Sequence, residues 1–469
     1  MYSLSVAPTA TPIADPSACR IPLETIRADL QACRNQTLAL CKNISALHFS
    51  TQSHSEFSPV GWHLGHIAYT ESLWIAERCR QLSHTSADIS SRYTTSKYRR
   101  LFSADGLPKS ERQNLPSLAE ILEYLAVVRS QTEACLPSLD NPQAHLLLHW
   151  LIQHEAQHAE TISMVMAMHK LISPTQSSNL FDGQEVRSQD LKEQTVEEQT
   201  VEKQAVEKQT VEEQISIEPN MVPIEAGEFY QGSDSLDAID NERSVHPVFL
   251  ERYWIDRAPV TCGQYRRFIE AGGYQTEKWW SPHGWQWQQR AKVKAPLYWQ
   301  DDRAFDTHPV CGTSWYEADA YARFIGKRLP TEAEWAKAAG WNVSTQTMQR
   351  YPWGEKLSHT VQSQAEKSCN YGYQVGATTP VATYQQFASP YGCLDMLGNV
   401  WEWTDTWFNP YPGFRAFPYE GYSKTYFDGA HRVLRGGSWA TSRWALRNSF
   451  RNWYHPYRRE MFAGFRCAA

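Results

Sequence analysis

The sequence predicts a multidomain protein, with an N-terminal all-α helical bundle over residues 20–172 and a C-terminal α+β, loop-rich domain over residues 219–469. Three observations support this division. Apolar residues recur at helical spacing in the first region. A repetitive acidic segment, 173–218, follows it. Beyond that segment lie 16 of the 19 Trp residues, in a stretch rich in Gly, Pro and aromatic side chains.

The helical region is expected to contain four helices, over residues 23–41, 59–79, 118–136 and 141–171. The third follows a Pro-Ser pair, and the fourth opens with Asn141 as a cap and Pro142 in the first turn. Four helices joined by loops are typical of a bundle.

The segment between the two regions is repetitive. Residues 195–214 read TVEEQ, TVEKQ, AVEKQ and TVEEQ, and a period of five cannot form one buried stripe on a helix or a strand. Residues 174–218 contain 11 acidic and 4 basic residues, so their net charge is −7, and the rest of the chain carries +1 of the total of −6. We expect 173–218 to be a disordered acidic linker.

The C-terminal region contains two short helices with clear boundaries. Ser314 and Thr331 each begin a capping box, with Glu three residues later, and Gly326 and Gly340 fit the two helix ends. The rest is expected to form short strands and long ordered loops. Large flat Trp side chains suit a domain that must bury irregular backbone.

Composition excludes several classes of protein. The mild net charge of −6 argues against a nucleic-acid partner. No run of 18 apolar residues predicts a membrane span, and the first 20 residues lack the basic start and apolar core of a secretory signal. The ten Cys include no C-x-x-C pair. We therefore expect a cytoplasmic protein with reduced thiols and no membrane partner.

Histidines in the helical region carry the clearest chemical signal. His154 and His158 are four residues apart, so on a helix they share one face. His63 and His66 come from another predicted helix, and two ligands from one helix plus one from a second would form a bundle metal site. Imidazole suits Zn, Cu, Fe and Ni equally. The stretch also matches H-E-x-x-H, in which Glu155 would be the general base of a metalloprotease, and such spacing also arises by chance on surface helices.

Longer motifs give a resemblance to a known family. Residues 57–66 (FSPVGWHLGH) and 154–161 (HEAQHAET) resemble the DinB-like domain of the ergothioneine-type sulfoxide synthases, the EgtB family. The C-terminal region resembles their second domain, which has the formylglycine-generating-enzyme fold, related to C-type lectins. The matching stretches there are 223–229 (PIEAGEF), 327–335 (KRLPTEAEW), 398–403 (GNVWEW), 434–439 (LRGGSW) and 462–466 (FAGFR).

The resemblance implies a non-haem iron(II) enzyme that uses O2 to join hercynine, the trimethylated histidine, to a thiol as a sulfoxide. It assigns the iron to His66, His154 and His158, with His63 beside them. Three protein ligands leave room for imidazole, thiolate and O2, and a coordinated thiol is deprotonated. This implication favours iron over zinc and weakens the protease interpretation of Glu155.

The resemblance also assigns roles in the C-terminal half. Tyr419 takes the position of the family's catalytic proton donor. Tyr422 and Trp453 would hold the trimethylammonium group, which can be bound only by aromatic faces. Gln157 and Asn452 would bind the substrate carboxylate. Packing in an aromatic-rich domain is the alternative explanation for each aromatic residue.

One position departs from the family pattern. Members that use γ-glutamylcysteine carry Asp where this chain has Tyr454, so an anion that could meet the donor's ammonium group is missing. Cysteine, γ-glutamylcysteine and, as in selenoneine synthases, a selenosugar remain candidate donors, and Tyr454 is counted among the substrate contacts. Lys97, Arg99 and Arg100 could meet a donor carboxylate or form a solvated basic loop.

Two alternatives from other classes stay open: a DinB-type metal-dependent thiol transferase, and a binding module. The oligomeric state also stays open. Asn399 and Glu402 match positions that can hold a structural Ca2+ in this fold. Because no Cys lies between Trp439 and Cys467, the copper-binding Cys pair of true formylglycine-generating enzymes is missing.

Overall fold

The computed structural model describes residues 22–76, 95–172, 221–355 and 368–469, without the side chains of 95–97 and 172. The predicted linker, 173–218, lies outside the described residues, so its expected disorder stays a prediction. Lys97 and the last residues of the predicted helix 59–79 also fall outside what can be described.

The N-terminal half is helical, as predicted. Its helices are α1 (Leu23–Leu40), α2 (Ala46–Ser50), α3 (Val60–Glu71), α4 (Thr95–Phe102), α5 (Leu118–Cys135) and α6 (Pro142–Ile172), and a π-helical turn, Ser72–Ala76, extends α3. The four predicted helices correspond to α1, α3, α5 and α6. The short helices α2 and α4 were not predicted, because five to eight residues give too little periodicity to identify.

Local signals account for where the long helices begin. Ser117 caps α5 in a capping box with Glu120. The side chain of Asn141 accepts a hydrogen bond from the Ala144 N–H at the start of α6. Every residue of α3 is buried, so this helix forms the centre of the bundle. No described helix combines the length and the apolar character that crossing a bilayer requires.

The C-terminal half is α+β and rich in loops. Its helices are α7 (Cys262–Glu270), α8 (Pro282–Ala291), α9 (Trp315–Phe324), α10 (Glu332–Gly340) and α11 (Glu420–Ser423). Its strands are β1 (Met221–Ile224), β2 (Gly227–Gln231), β3 (His246–Leu250), β4 (Tyr253–Asp256), β5 (Trp341–Asn342), β6 (Thr347–Met348), β7 (Trp401–Trp407), β8 (Arg432–Arg435), β9 (Asn452–Tyr454) and β10 (Ala463–Gly464).

The strands form one four-stranded sheet, in the order β10-β7-β8-β9, and three two-stranded sheets, β1-β4, β2-β3 and β5-β6. Only β10 and β7 run parallel among these pairs. Both predicted capping boxes are present, at the start of α9 and of α10. Gly326 follows α9 with a φ of 70°, as expected at a helix end. Gly340 is the last residue of α10 and is needed for space, because a Cβ there would lie 2.3 Å from the Asn448 amide.

Helix α6 joins the two halves. Glu160, buried on α6, accepts hydrogen bonds from the Trp401 indole (2.8 Å), the Ser438 hydroxyl (2.5 Å) and the Thr441 hydroxyl (2.8 Å). Burial raises the pKa of Glu160. These donors come from β7 and from the loop after β8. The C-terminal domain therefore packs against α6 at Glu160, two residues after His158.

Candidate metal centre

Helices α3 and α6 bring the three predicted ligands together. The ligand atoms of His66, His154 and His158 lie within 4.8 Å of one another. The Nε2 atoms of His66 and His154 are 3.2 Å apart. His66 and His154 are buried, and His158 is half-buried. Within the described ranges, this is the one group of three or more His, Cys, Asp or Glu side chains that could hold a metal ion.

Hydrogen bonds on the far side of the rings orient two of these histidines. His66 Nδ1 lies 2.6 Å from the Phe102 carbonyl, and since a carbonyl only accepts, Nδ1 carries the proton and Nε2 keeps its lone pair. His158 Nδ1 lies 2.9 Å from His63 Nδ1. A His158 that donates from Nδ1 likewise keeps Nε2 free. His63 therefore lies beside the cluster, as expected, and outside the group of three.

Burial keeps these imidazoles neutral. It lowers the pKa of His66 to about 4. For His63, burial and the neighbouring His66 lower the pKa to about 3. Burial, with the adjacent histidines, also lowers the pKa values of His154 and His158 well below the ordinary range. Neutral imidazole is the form that binds a metal, so the cluster is ready to accept a cation at neutral pH.

The residues around the cluster include two Trp that sequence reasoning missed. The Trp62 ring stacks on His66, with ring centroids 4.7 Å apart, and the Trp150 ring lies 5.0 Å from that of His154. Each Trp precedes its histidine by four residues. That helical spacing was a signal in the sequence that could have identified both as neighbours of the site.

Tyr419 and Tyr422, from the C-terminal domain, lie close to the Trp150 ring. The Trp150 ring is 5.4 Å from Tyr422 and 6.1 Å from Tyr419, and Tyr419 also stacks on Trp74 at 5.8 Å. Tyr419 is 37% exposed. The contacts thus bring Tyr422 and Tyr419 to Trp150, one ring away from His154, rather than against the histidines themselves.

Some of the other predicted substrate contacts lie next to one another in the structure. Gln157 Nε2 donates to the Tyr422 hydroxyl at 2.7 Å, so these two residues meet across the domain boundary. Trp453 stacks on Phe408 at 4.3 Å, with its ring edge-on to Tyr422 at 6.1 Å. The Asn452 side-chain oxygen accepts a hydrogen bond from the Trp453 N–H.

Tyr454 is half-buried, next to Trp453 on β9, and burial raises the pKa of its phenol. Of the basic residues named as donor contacts, Arg99 and Arg100 are exposed, and Arg99 lies 3.9 Å from Asp105. The structure places both residues on helix α4 as exposed basic side chains, not in the solvated loop that the sequence suggested.

Comparisons with known proteins agree with the two halves. The DinB superfamily matches residues 29–162, and the Sulfatase-modifying factor enzyme 1-like domain matches residues 205–469. Proteins named hercynine oxygenase from Mycobacterium tuberculosis and Mycolicibacterium smegmatis are 37% and 34% identical to this chain, over 95% and 96% of it and 98% and 99% of their own lengths. The chain belongs to the hercynine oxygenase family. The resemblance drawn from its motifs is confirmed.

Membership of the hercynine oxygenase family makes this chain an oxygen-dependent oxidoreductase. A formylglycine-generating enzyme of Thermomonospora curvata is 31% identical over only 54% of this chain, although over 94% of its own length. The likeness to that enzyme is therefore confined to about half of the chain, whereas the hercynine oxygenases match nearly all of it.

The protease interpretation of Glu155 is wrong. Both of its oxygens are taken by guanidinium groups, with Arg34 Nε at 2.7 Å and Arg129 Nη2 at 3.0 Å. All three side chains are buried. A carboxylate whose two oxygens are both engaged by buried guanidinium groups ties the helices together, and it is not placed to act as the base that activates a water molecule.

The calcium expectation also receives no support. The oxygens of Glu402 accept hydrogen bonds from Arg466 at 2.6 and 2.8 Å and from the Trp335 indole at 2.9 Å. The side chain of Asn399 is paired in both directions with the backbone of Thr379, at 2.9 and 3.0 Å. Because these oxygens already have donors, the two residues brace the loop before β7 instead of offering a cation site.

Proposed function

We propose that this protein is a non-haem iron(II), O2-dependent sulfoxide synthase that joins hercynine to a thiol, cysteine or γ-glutamylcysteine, in ergothioneine biosynthesis. The observation that carries the proposal is the cluster of His66, His154 and His158. It lies where the DinB-like helices meet the C-terminal domain, its members are neutral, and the Phe102 carbonyl orients the His66 ring. The mycobacterial relatives that match both halves are named for hercynine.

The donor set fits a metal with open positions. Three imidazoles with no carboxylate beside them suit a borderline transition metal, and iron is the choice that agrees with the oxygenase family. When bound, Fe(II) would bind O2 and deprotonate the thiol. His66, His154 and His158 would hold it through Nε2, while the Phe102 carbonyl keeps the His66 ring in position.

Hercynine would bind between Gln157 and the aromatic residues of the C-terminal domain. A trimethylammonium group has no N–H to donate, so its binding must come from aromatic faces such as Tyr422 and Trp453. Its carboxylate needs donors, which the amides of Gln157 and Asn452 would supply. Gln157 now donates to Tyr422, and the substrate carboxylate would take over that hydrogen bond.

Tyr419 would supply the proton. Burial raises the pKa of its phenol, so Oη keeps its proton at neutral pH and can donate it when negative charge develops nearby. If this role is right, Tyr419→Phe should bind hercynine normally but divert turnover from C–S bond formation to oxidation of the thiol alone. An unchanged ratio of the two products would make Tyr419 a packing residue.

Tyr454 bears on which sulfur or selenium donor the enzyme uses. Tyr454 is a neutral phenol, which can donate or accept one hydrogen bond but cannot pair with an ammonium group as a carboxylate would. This substitution favours a donor that needs no such anion. A selenosugar meets that condition, so selenoneine synthesis is the second candidate function.

One experiment tests both candidates. The protein is purified without oxygen, loaded with Fe(II) and mixed with hercynine and O2, with cysteine, γ-glutamylcysteine or a selenosugar offered separately, and mass spectrometry identifies the product. His154→Ala should lose both iron and product. His169→Ala, near the far end of the same helix, is the matched control and should keep both. Absence of product with every donor, despite bound iron, would refute the proposal.

A further inference from the structure

A buried turn of the C-terminal domain lies against the loop that carries Tyr419. Residues Asp240–Glu242 form a single 3-10 turn, and all three are at most 1% exposed. The Asp240 carboxylate accepts one hydrogen bond from the Ser423 hydroxyl at 2.5 Å and another from the Phe417 N–H at 3.2 Å. These two donors flank Tyr419 in the sequence, one on each side.

The same turn is anchored to the metal helix. Glu242 accepts a hydrogen bond from Arg447 Nε at 2.8 Å, and Arg447 Nη2 donates to the side chain of Gln153 at 2.7 Å. Gln153 directly precedes His154 on α6. The turn therefore has two contacts. Asp240, its first residue, binds the segment that carries Tyr419, and Glu242, its third residue, is linked through Arg447 to α6, the helix of His154 and His158.

Asp240 is an unusual buried carboxylate. Among the described residues, no Lys, Arg or His forms an ion pair with it, because Arg447 is paired with Glu242 and Arg451 with Glu332. The titratable groups that face it are Glu242 on its own turn and the phenols of Tyr419 and Tyr422 on the loop. Burial raises the pKa of Asp240 to about 6, although the hydrogen bonds from Ser423 and Phe417 act in the opposite direction.

A buried carboxylate without a cation costs folding free energy, so a role for its two acceptors is expected. We propose that Asp240 is a positioning residue, which holds Tyr419 in reach of the metal site by bracketing its loop with two hydrogen bonds. The inference rests on the proposed role of Tyr419. An ionised carboxylate accepts both hydrogen bonds, whereas a protonated acid or an amide offers one acceptor oxygen and one donor group.

The first test uses the metal-free protein, so it does not depend on turnover. In Asp240→Asn, amide hydrogen exchange at Phe417 and in the peptide through Ser423 should become about tenfold faster, since one hydrogen bond to a charged group is lost. Glu420→Gln is the matched control, because it removes an exposed carboxylate from the same loop, and its exchange should equal that of the wild type. Unchanged exchange in Asp240→Asn would overturn the proposal.

The second test separates this inference from the role of Tyr419. With Fe(II), hercynine and thiol, Asp240→Asn should shift the ratio of sulfoxide to oxidised thiol in the same direction as Tyr419→Phe. In the wild type, the ratio of sulfoxide to oxidised thiol should decrease as the pH is lowered through about 6, because Asp240 takes up a proton. In Asp240→Asn this ratio should not change over the same pH range. If Tyr419→Phe alters the ratio and Asp240→Asn does not, the positioning role is wrong. If Tyr419→Phe itself has no effect, the proposed function of Tyr419 fails instead.

A second variant covers the case in which Asp240→Asn does not fold. Ser423→Ala removes one of the two donors without changing any charge. It should show the same faster exchange and the same shift in product ratio, though smaller than in Asp240→Asn. A folded Ser423→Ala protein with wild-type exchange and a wild-type ratio would also overturn the proposal.

Discussion

Replacing Arg34 by Met should remove much of the stability of the helical domain. Arg34 belongs to a buried set of two guanidinium groups and two carboxylates. It contacts Glu155 at 2.7 Å and Glu71 at 2.8 Å, and Arg129 contacts the same two residues at 3.0 and 2.8 Å. The four side chains are 4–7% exposed, and one comes from each long helix, α1, α3, α5 and α6.

Two independent arguments give the size of the effect. Removing one partner of a buried ion pair typically costs about 3–5 kcal/mol, because the remaining charge is left uncompensated. Burial by itself raises the pKa of Glu71, but Arg129 and Arg34 outweigh it and lower the pKa from 4.5 to about 2. At about 1.4 kcal/mol for each pKa unit, that shift corresponds to about 3 kcal/mol for both guanidinium groups together and net of burial, which is the same order as the first figure. We therefore expect Arg34→Met to lower the free energy of unfolding by about 3 kcal/mol.

The pH dependence has a definite sign. Because the folded-state pKa of Glu71 is depressed, its contribution is fully present above pH 4.5 and is lost as the pH falls towards about 2. In Arg34→Met, Glu71 keeps only the Arg129 guanidinium group, so its carboxyl should take up a proton more readily than in the wild type. The deficit of the variant relative to the wild type should therefore shrink as the solution is made acidic.

The assay is urea unfolding of the metal-free protein, followed by far-ultraviolet circular dichroism at several pH values. Arg27→Met on the same helix is the matched control, because Arg27 and its partner Glu24 are 42% and 77% exposed. An exposed pair of this kind contributes less than about 1 kcal/mol. If the two variants lost equal stability, or if the deficit of Arg34→Met did not change with pH, the reasoning about the buried ion pairs would be refuted.

Three further predictions concern the site. A Cβ on Gly65 would lie 2.2 Å from the Phe102 ring, so Gly65→Ala should push α3 away from α4 and lower the Fe(II) affinity in equilibrium dialysis about tenfold or more. Unchanged affinity would mean that the Phe102 ring moves aside and α3 stays in place. Glu160→Gln loses an acceptor for the three donors of the C-terminal domain and should cost about 1–3 kcal/mol in urea unfolding, whereas a neutral result would show that the domain contact is held elsewhere. Trp453→Leu should raise KM for hercynine about tenfold at nearly constant kcat; a wild-type KM would leave Trp453 with only its packing against Phe408.

Some elements could be predicted because their signals are local. Periodic apolar residues were enough to find α1, α3, α5 and α6, and side-chain caps such as Ser314 and Thr331 identified the start of α9 and α10. The helices α2 and α4 were missed, although Phe49 and Phe102, which they carry, pack against the glycines of α3. Their positions depend on contacts with a helix that is distant in the sequence.

For the metal site, too, local spacing determined one part of the geometry and the tertiary structure determined the rest. The sequence by itself determined that His154 and His158 share a helical face, since a spacing of four residues sets that geometry wherever the helix lies. Only the tertiary structure decided that His66 joins them, that Glu155 turns to Arg34 and Arg129 instead of the cluster, and that Glu402 is taken by Arg466. Hydrogen bonds and ion pairs between distant residues require the whole chain to be folded, because the free energy of burying each charge depends on which partner the fold brings to it.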